Sequence, residues 1–372
     1  MKFKELCLSA EILRAIDVMG HSQATQIQQQ AIPFIVQGFD VIGCAQTGTG
    51  KTGAFSIPIL ELLSKSNKSS RNVIKALVLA PTRELAIQID ESFKMYGKFM
   101  PIKHTAIFGG VSQTNQLKVL KNGVEVLIAT PGRLLDLIHQ GFVDLSKIEI
   151  LVLDEADHML DMGFINDIKK ILKFLPIKKQ ALLFSATMPT EIKKFASSIL
   201  HQPKEISVAP VSSTADTVKQ ELYMVDKIDK SKLLIELLNK KKHNQSLVFT
   251  RTKHGADKLV KKLLKVGIKA SAIHGNKSQG NRQRVLSDFK RNNISVLIAT
   301  DIAARGIDIN ELPYVINYEL PSVPETYVHR IGRTGRAGNN GVAVSFCDKD
   351  ERKDLIGIQK LLGFTIPVII NN

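Results

Sequence analysis

Short apolar runs alternate with longer amphipathic segments along almost the whole of this 372-residue chain. Alternation of this kind is typical of a mostly parallel β-sheet covered by helices, because parallel strands need a helical crossover between them. The runs with strand character lie at 39–44, 76–80, 124–129, 148–153, 181–184, 246–249, 270–273, 294–299, 314–317 and 342–346. The sequence therefore predicts the α/β class, with a parallel sheet flanked by helices in each half.

The length indicates two domains, because a typical domain contains about 150 residues. Between the two sets of strands lies a small, polar stretch without periodicity, SVAPVSSTAD, which begins at Ser207 and has the character of a linker. We therefore predict an N-terminal domain over 1–206, a linker over 207–217 and a C-terminal domain over 218–372.

The formal net charge is +16, from 51 lysines and arginines against 35 acidic residues. Such an excess creates a positive field that concentrates polyanions, so a nucleic acid is the leading candidate partner. A solvated basic surface with no partner is the alternative that charge alone leaves open.

Three cysteines, Cys7, Cys44 and Cys347, are too few and too far apart for a disulfide framework or a zinc site, which favours a reducing compartment. No apolar run approaches the roughly 20 residues of a membrane span, and acidic residues interrupt the N-terminal apolar stretch. We expect a soluble, unexported, cytoplasmic protein that does not associate with membranes.

Polar or glycine-rich clusters follow most of the predicted strands. In the first half they are AQTGTGKT from residue 45, PTREL from 81, ATPGR from 129, DEAD from 154 and SAT from 185; in the second they are TRT from 250, HG from 274 and ATDIAARGID from 299. Loops that follow parallel strands emerge on one edge of the sheet, where open α/β sheets bind ligands. Two such edges imply a cleft that both domains share.

The segment from Ala45 to Thr52 joins a predicted strand to a helical stretch, so its backbone N–H groups can face a phosphate from a helix N-terminus. Lys51 would reach the terminal phosphates and the Thr52 hydroxyl would hold Mg²⁺. The general pattern has Gly where this chain has Ala45, but Gly48 and Gly50 permit the close backbone approach. A purely structural glycine-rich turn is the alternative.

Asp154 and Glu155 follow an apolar run that must be buried on both faces. Two adjacent carboxylates there would repel each other unless a cation or a substrate neutralises them. In a metal–nucleotide site Asp154 would position Mg²⁺, partly through water, and Glu155 would orient and deprotonate the attacking water. A solvated acidic loop is the alternative.

Arg330, Arg333 and Arg336 are spaced three residues apart among glycines in HRIGRTGR. A guanidinium from a second domain can stabilise the charge that develops on a transferred phosphoryl group, and Arg333 and Arg336 are the candidates for this role. A basic patch that contacts RNA is the alternative, and the two uses are compatible.

The motifs GKT, PTREL, TPGR, DEAD, SAT, ATDIAARGID and HRIGRTGR occur in the order seen in DEAD-box RNA helicases, and the resemblance spans nearly the whole chain. FGGVS, DEADHMLDMGFI and AIHGNKSQG are most similar to the bacterial RhlE-type subgroup. The resemblance implies two tandem RecA-like domains that close on ATP and single-stranded RNA together.

By the same resemblance Gln28 would read adenine with help from Thr25 and Phe3, and Asp308 would bind the ribose. The chain departs from the family at His21, usually an aromatic residue, and at Ala24, usually a proline. The implied nucleotide-binding set is Phe3, Thr25, Gln28, Thr47, Gly48, Thr49, Gly50, Lys51, Thr52, Asp154, Gly306, Asp308, Arg333 and Arg336. The implied set that couples phosphate state to domain closure is Asp157, Ser185, Thr187 and His329.

The resemblance also implies a set of RNA contacts: Pro81, Thr82, Arg83, Gly110, Thr130, Arg133, Thr252, Gly275, Arg282, Thr300 and Asp301. Most of these residues offer hydroxyls, guanidinium groups or backbone amides, which suit the sugar–phosphate backbone, so we expect sequence-independent binding. The chain has no tryptophan and only 6% aromatic residues, which argues against a base-stacking platform.

We therefore expect a monomeric ATP hydrolase that requires ATP and Mg²⁺. It would couple RNA-stimulated hydrolysis to local, non-processive unwinding of short RNA duplexes or remodelling of ribonucleoprotein, with ribosome-assembly or RNA-decay factors as candidate partners. A DNA helicase or translocase is one alternative. An ATP-gated RNA clamp that serves as an assembly platform is another, although Glu155, Arg333 and Arg336 argue against a non-catalytic role.

Overall fold

A computed structural model describes residues 1–46, 48–65, 73–208, 218–240, 245–304, 309, 312–335 and 341–369. The chain divides into two compact units, Met1–Ala209 and Pro210–Asn372. Most of the predicted linker lies outside the described residues, and its first residue, Ser207, is the last residue of a strand. Among the described helices, none combines the length and the apolar composition that crossing a membrane requires.

The first unit contains a seven-stranded sheet in which all neighbouring strands are parallel. Its strands are β1 (Val41–Cys44), β2 (Ala76–Leu79), β3 (His104–Ile107), β4 (Val126–Ala129), β5 (Ile150–Leu153), β6 (Gln180–Ser185) and β7 (Lys204–Ser207). Their order across the sheet is β3-β4-β2-β5-β6-β1-β7.

Helices cover both faces of this sheet. After a 3₁₀ turn at Phe3–Leu6 they are α1 (Ala10–Val18), α2 (Gln26–Val36), α3 (Lys51–Lys65), α4 (Arg83–Tyr96), α5 (Gln113–Lys121), α6 (Pro131–His139), α7 (Ala156–Asp161), α8 (Ile165–Leu172) and α9 (Thr190–Ser197). Successive strand residues point to opposite faces, so Val78 and Val152 join one core cluster while Leu77 and Leu151 join another. Burial on both faces is the reason that these strands are continuous apolar runs.

The second unit contains a six-stranded parallel sheet. Its strands are β8 (Val218–Met224), β9 (Ser246–Phe249), β10 (Ala270–Ile273), β11 (Val296–Ala299), β12 (Tyr314–Asn317) and β13 (Gly341–Cys347). Its helical elements are α10 (Lys230–Lys240), α11 (Lys253–Lys265), α12 (Gln279–Lys290), α13 (Asp301–Ala304), α14 (Pro324–Ile331), a 3₁₀ turn at Lys349–Glu351 and α15 (Arg352–Leu362).

The second sheet has the strand order β10-β11-β9-β12-β13-β8, which repeats the order of the first six strands of the first sheet. If the strands of each unit are numbered from its own first strand, both sheets contain the order 3-4-2-5-6-1. The predicted α/β class with two parallel sheets is confirmed. Loops at equivalent strand ends must occupy equivalent positions in the two units.

Candidate functional site

The motif loops of the first unit fall into two adjacent groups on the carboxyl edge of the sheet. The glycine-rich loop, the DEAD segment and the SAT segment follow β1, β5 and β6, which lie side by side. The PTREL, TPGR and FGGVS segments follow β2, β4 and β3, which also lie side by side. Strand order thus separates the candidate phosphate site from the candidate RNA contacts on one continuous edge.

The glycine-rich loop turns sharply into α3. Gly48 and Gly50 have φ angles of 83° and 92°, values that side chains disfavour, and α3 begins at Lys51. The buried Lys51 ammonium donates a hydrogen bond to the Ala45 carbonyl over 2.6 Å, and the Thr49 hydroxyl donates to Gln46 O over 2.7 Å. A lysine and the N–H groups at a helix N-terminus suit a phosphate. Thr47 lies outside the described residues.

Gln28 packs against this loop through its side-chain amide. Its Nε2 donates to Gly50 O over 3.1 Å, while its Oε1 accepts from the Thr25 N–H over 2.9 Å in the capping box that begins α2. Phe3 is buried, with 4% of its surface exposed, in the core cluster that also contains Ile27, the neighbour of Gln28 in α2. The structure thus places Thr25 and Gln28 against the phosphate loop, and the adenine contacts of the three residues stay a prediction.

Asp154 is a buried carboxyl group at the end of β5. Burial raises its pKa to about 7; the Lys51 charge acts in the opposite direction, and the Glu155 and Asp157 charges add to the rise. Its Oδ1 accepts the Glu155 N–H over 3.0 Å. A carboxylate that is costly to ionise in the free protein is stabilised by a bound cation, and carboxylate and hydroxyl oxygens are ligands that Mg²⁺ accepts. Asp154 and Thr52 therefore fit a magnesium site.

Glu155 occupies a left-handed conformation, with φ of 53° and ψ of 51°, at the start of α7. Its Oε2 lies 2.9 Å from His158 Nδ1, and both side chains are buried. A glutamate in this region of the backbone is uncommon and persists at sites where the surroundings hold it. His158 was not predicted as a site residue, and the contact fixes the direction of the Glu155 carboxylate.

Asp157 connects the DEAD segment to the SAT segment. Its Oδ2 accepts the N–H and the hydroxyl of Thr187, each over 2.9 Å, and its own N–H donates to Ser185 Oγ over 3.2 Å. Burial raises the pKa of Asp157, but the His158 and Lys51 charges and hydrogen bonds from Ser185 and Thr187 outweigh it and hold the pKa below its ordinary value. Three of the four predicted coupling residues therefore form one network; the fourth, His329, lies in α14 of the second unit.

Three of the predicted RNA contacts of the first unit, Arg83, Gly110 and Arg133, meet at the β3–α5 loop. The Arg83 guanidinium lies directly over Gly110, whose φ is 74°. Arg133 donates to Val111 O over 3.1 Å and to Gln116 Oε1 over 3.2 Å. Pro81 and Thr82 precede α4, where the Thr82 hydroxyl accepts the Leu85 N–H, and Thr130 is the N-cap residue of α6.

We expect a Gly110→Ala substitution to weaken RNA binding by about tenfold without changing nucleotide binding. A Cβ at Gly110 would lie 2.0 Å from Arg83 Nη1, so the guanidinium must leave its place, and the left-handed backbone adds about 1–2 kcal/mol of strain. Gly109→Ala is the matched control, since its Cβ would meet only Arg83 Nη2 at 3.9 Å. Fluorescence anisotropy with labelled single-stranded RNA measures the effect; equal affinities for the two variants would contradict it.

In the second unit, predicted RNA contacts again follow three adjacent strands. Thr252 follows β9 and caps α11 by accepting the Gly255 N–H over 3.0 Å, Gly275 follows β10, and Thr300 follows β11. Arg282 of α12 donates to Ala303 O over 3.5 Å. These loops therefore occupy the positions that correspond to the RNA-side loops of the first unit.

The first arginine of the HRIGRTGR motif, Arg330, is engaged within the second unit. Arg330 is buried and forms a bidentate ion pair with Asp301 over 2.6 and 2.8 Å, and it donates to Asn317 and to Glu319 O. Its guanidinium also lies 4.9 Å from the centre of the Phe249 ring. Arg330 therefore joins α14 to α13 and to the end of β12, and both carboxylate oxygens of Asp301 are engaged.

Arg333 follows α14 and is buried, with 6% of its surface exposed. Gly306, Asp308 and Arg336 lie outside the described residues, so their predicted roles rest on the sequence. The joint site that the sequence predicts between Lys51 and Glu155 on one side and Arg333 and Arg336 on the other stays a prediction.

Comparison with known families agrees with this arrangement. Residues 25–195 match the DEAD/DEAH box helicase family, and residues 229–338 match the helicase conserved C-terminal domain. The chain belongs to the DEAD/DEAH box helicase family. The DEAD-box assignment predicted from the motifs is confirmed.

Relatives of this DEAD-box chain include two named helicases. It is 44% identical over 361 residues to the ATP-dependent RNA helicase CshA of Limosilactobacillus reuteri, covering 97% of this chain and 72% of that protein. It is 43% identical over 376 residues to the DEAD-box ATP-dependent RNA helicase RhpA of Helicobacter pylori strain B128, covering 100% and 75%.

Solved structures give the same result for this DEAD-box chain. Saccharomyces cerevisiae Dbp5 bound to RNA and ADP BeF3 matches with a TM-score of 0.87 and 36% identity, covering 99% of this chain and 95% of Dbp5. A DEAD box protein from Methanococcus jannaschii matches with a TM-score of 0.56 and 40% identity, covering 100% and 99%. Both predictions, of two RecA-like domains and of an ATP-dependent RNA helicase, are confirmed.

Proposed function

We propose that this helicase binds ATP with Mg²⁺ at the loops after β1, β5 and β6, and grips single-stranded RNA at the loops after β2, β3 and β4. ATP hydrolysis stimulated by RNA then drives local, non-processive separation of short duplexes or remodelling of ribonucleoprotein. The observation that carries the proposal is that one sheet edge holds two groups of motif loops. The two groups are adjacent because β2, the last strand of one group, lies beside β5, the first strand of the other.

Within the nucleotide site, Lys51 would hold the terminal phosphates, and Thr52 and Asp154 would hold Mg²⁺, partly through water. When bound, Mg²⁺ supplies positive charge that offsets the negative charge of the phosphates during phosphoryl transfer. Glu155, held by His158 at 2.9 Å, would orient the attacking water and accept its proton. The backbone amides of the loop from 45 to 50 would complete the phosphate cradle.

The remaining nucleotide contacts would come from both units. Phe3, Thr25 and Gln28 would recognise adenine, and Asp308 would bind the ribose, with Gly306 as a further nucleotide contact. Arg333 and Arg336 would stabilise the charge that develops on the terminal phosphate. The network of Asp157, Ser185 and Thr187, with His329 from the second unit, would transmit the phosphate state to domain closure. Because both ligands would bind the closed form more tightly, ATP and RNA should each strengthen binding of the other.

RNA recognition would use the backbone and not the bases. The proposed contacts are Pro81, Thr82, Arg83, Gly110, Thr130 and Arg133 in the first unit, with Thr252, Gly275, Arg282, Thr300 and Asp301 in the second. Held along these loops, the strand would be bent, and a bent strand cannot remain paired in a duplex. Hydrolysis would then release the grip.

The test is ATP hydrolysis with matched RNA and DNA strands. We expect single-stranded RNA to stimulate turnover by at least about tenfold and DNA of the same sequence to have little effect, because the 2′-OH is the group that distinguishes them. Equal stimulation by DNA would favour a DNA translocase. Slow turnover with stable ATP-dependent RNA binding would favour the clamp, and a rate unaffected by RNA would refute the proposal.

Further features of this function also stay proposals. The RhlE-type subgroup rests on the segments FGGVS, DEADHMLDMGFI and AIHGNKSQG, whereas the relatives above are named CshA and RhpA. We propose a cytoplasmic monomer that works with ribosome-assembly or RNA-decay factors, on the basis of the cysteine usage and of the activity itself.

A further inference from the structure

The positive charge of the chain is concentrated in the second unit. Residues 210–372 contain 27 lysines and arginines against 16 acidic residues, which accounts for +11 of the total of +16. Within this unit, the segment 253–277 contains seven lysines and one acidic residue. None of these seven lysines is among the proposed RNA contacts, so those contacts do not explain the excess positive charge.

Helix α11 presents much of this charge on one side. Its apolar residues Ala256, Leu259 and Leu263 are buried in the core of the second unit. Lys258, Lys261 and Lys265 are exposed, and at 100° per residue they lie within a sector of about 60° on the opposite side of the helix. We call these three residues the α11 lysine face.

The lysine face continues from loops already proposed to contact RNA. Helix α11 begins directly after Thr252, and Lys253 Nζ donates to Asn276 Oδ1 over 3.0 Å, beside Gly275. The acidic residue of the segment, Asp257, pairs with Lys277 over 2.8 Å and lies 3.0 Å from His274. Its charge is therefore compensated locally, and the positive field of the lysine face remains.

We propose that the α11 lysine face binds the backbone of an RNA duplex that adjoins the single strand held in the core site. This inference rests on the proposed function, since it takes RNA as the ligand. Along the helix axis, the backbone positions of Lys258 and Lys261 are about 4.5 Å apart and those of Lys261 and Lys265 about 6 Å, so the three lysines span about 10.5 Å, nearly two turns. Helix α11 contains no phenylalanine, tyrosine or tryptophan, so it offers charge without a surface for base stacking.

A duplex suits such a surface better than a single strand. In a duplex the paired bases face inward and two phosphate backbones face outward. Lysine side chains can therefore bind the phosphates without any contact to the bases. A duplex arm beside the core site is also the geometry that a helicase meets on its substrate. The lysine face would therefore anchor the part of the RNA that has not yet been separated.

The test compares a lysine-face variant carrying Lys258→Gln, Lys261→Gln and Lys265→Gln with a matched control carrying Lys227→Gln, Lys353→Gln and Lys360→Gln. Both remove three exposed charges from the second unit. The probes are a short single-stranded RNA and the same strand joined to a hairpin duplex, titrated over a series of salt concentrations.

We expect the lysine-face variant to bind the duplex-bearing RNA about tenfold more weakly than the control does, with a log–log salt slope shallower by about 2 to 3. Its affinity for the single strand should equal that of the control. Equal binding of the duplex-bearing RNA by both variants would overturn the inference and leave the face free for an acidic protein.

Equal weakening toward both probes would also overturn it, because the lysines would then belong to the single-strand path. Failure of the unsubstituted protein to bind the single strand would instead refute the proposed function, and with it this inference.

Discussion

A Glu155→Gln variant will hydrolyse ATP about 10³-fold more slowly than the unsubstituted protein while it still binds ATP and RNA. Glutamine has nearly the same shape as glutamate but cannot accept a proton from the attacking water, and loss of a general base costs about 10²–10⁴ in rate. The side chain keeps its place at the start of α7, where Oε2 lies beside His158. Blocked hydrolysis should trap the state that grips RNA.

The measurement pairs single-turnover hydrolysis with the dissociation rate of labelled RNA in the presence of ATP. Glu191→Gln is a suitable control, since it makes the same chemical change at an exposed position in the first turn of α9. The variant should release RNA much more slowly than this control. If Glu155→Gln and Glu191→Gln released RNA at the same rate, hydrolysis that depends on Glu155 would not control RNA release.

A Lys51→Ala variant should lose ATP turnover by about 10²–10³-fold and require more Mg²⁺ for nucleotide binding. Lys51 is buried, and its charge lowers the pKa of Asp154, which burial has raised to about 7. Without the ammonium that pKa rises further, so Asp154 is protonated at neutral pH and is a poorer metal ligand. The substitution thus removes a phosphate contact and weakens the metal site.

Calorimetric titration of nucleotide at several Mg²⁺ concentrations measures this effect, and RNA binding without nucleotide should be unchanged. Lys51→Arg separates the two causes, because it keeps the charge near Asp154 but replaces the compact ammonium with a larger planar group. We expect Lys51→Arg to need no more Mg²⁺ for nucleotide binding than the unsubstituted protein, but to hydrolyse ATP as slowly as Lys51→Ala does. Normal turnover by Lys51→Ala would contradict the assignment of the phosphate site.

The central strands could be predicted from the sequence because both of their faces are buried. Strands β1, β2, β4 and β5 are short apolar runs, and the predicted runs coincide with them to within two residues at each end. Three edge strands, β3, β7 and β8, lack this signature, whereas the edge strand β10 keeps it and coincides with the predicted run. In β7, Lys-Glu-Ile-Ser, only Ile206 is buried, since an edge strand is partly solvated and keeps polar residues.

The chemistry of the site followed from residue types and spacing, but its contacts did not. Arg330, Arg333 and Arg336 have the same spacing in sequence, and the structure pairs Arg330 with Asp301. No local pattern could reveal this ion pair, because it depends on which elements lie beside α14. For the same reason the sequence did not predict the contact of His158 with Glu155.

The most direct test of the account is a structure of the protein with a non-hydrolysable ATP analogue, Mg²⁺ and single-stranded RNA. The account predicts that one terminal phosphate lies within about 3 Å of Lys51 Nζ from the first unit and of the Arg333 and Arg336 guanidinium groups from the second. Both units closed around the nucleotide, with those two arginines facing solvent, would contradict it.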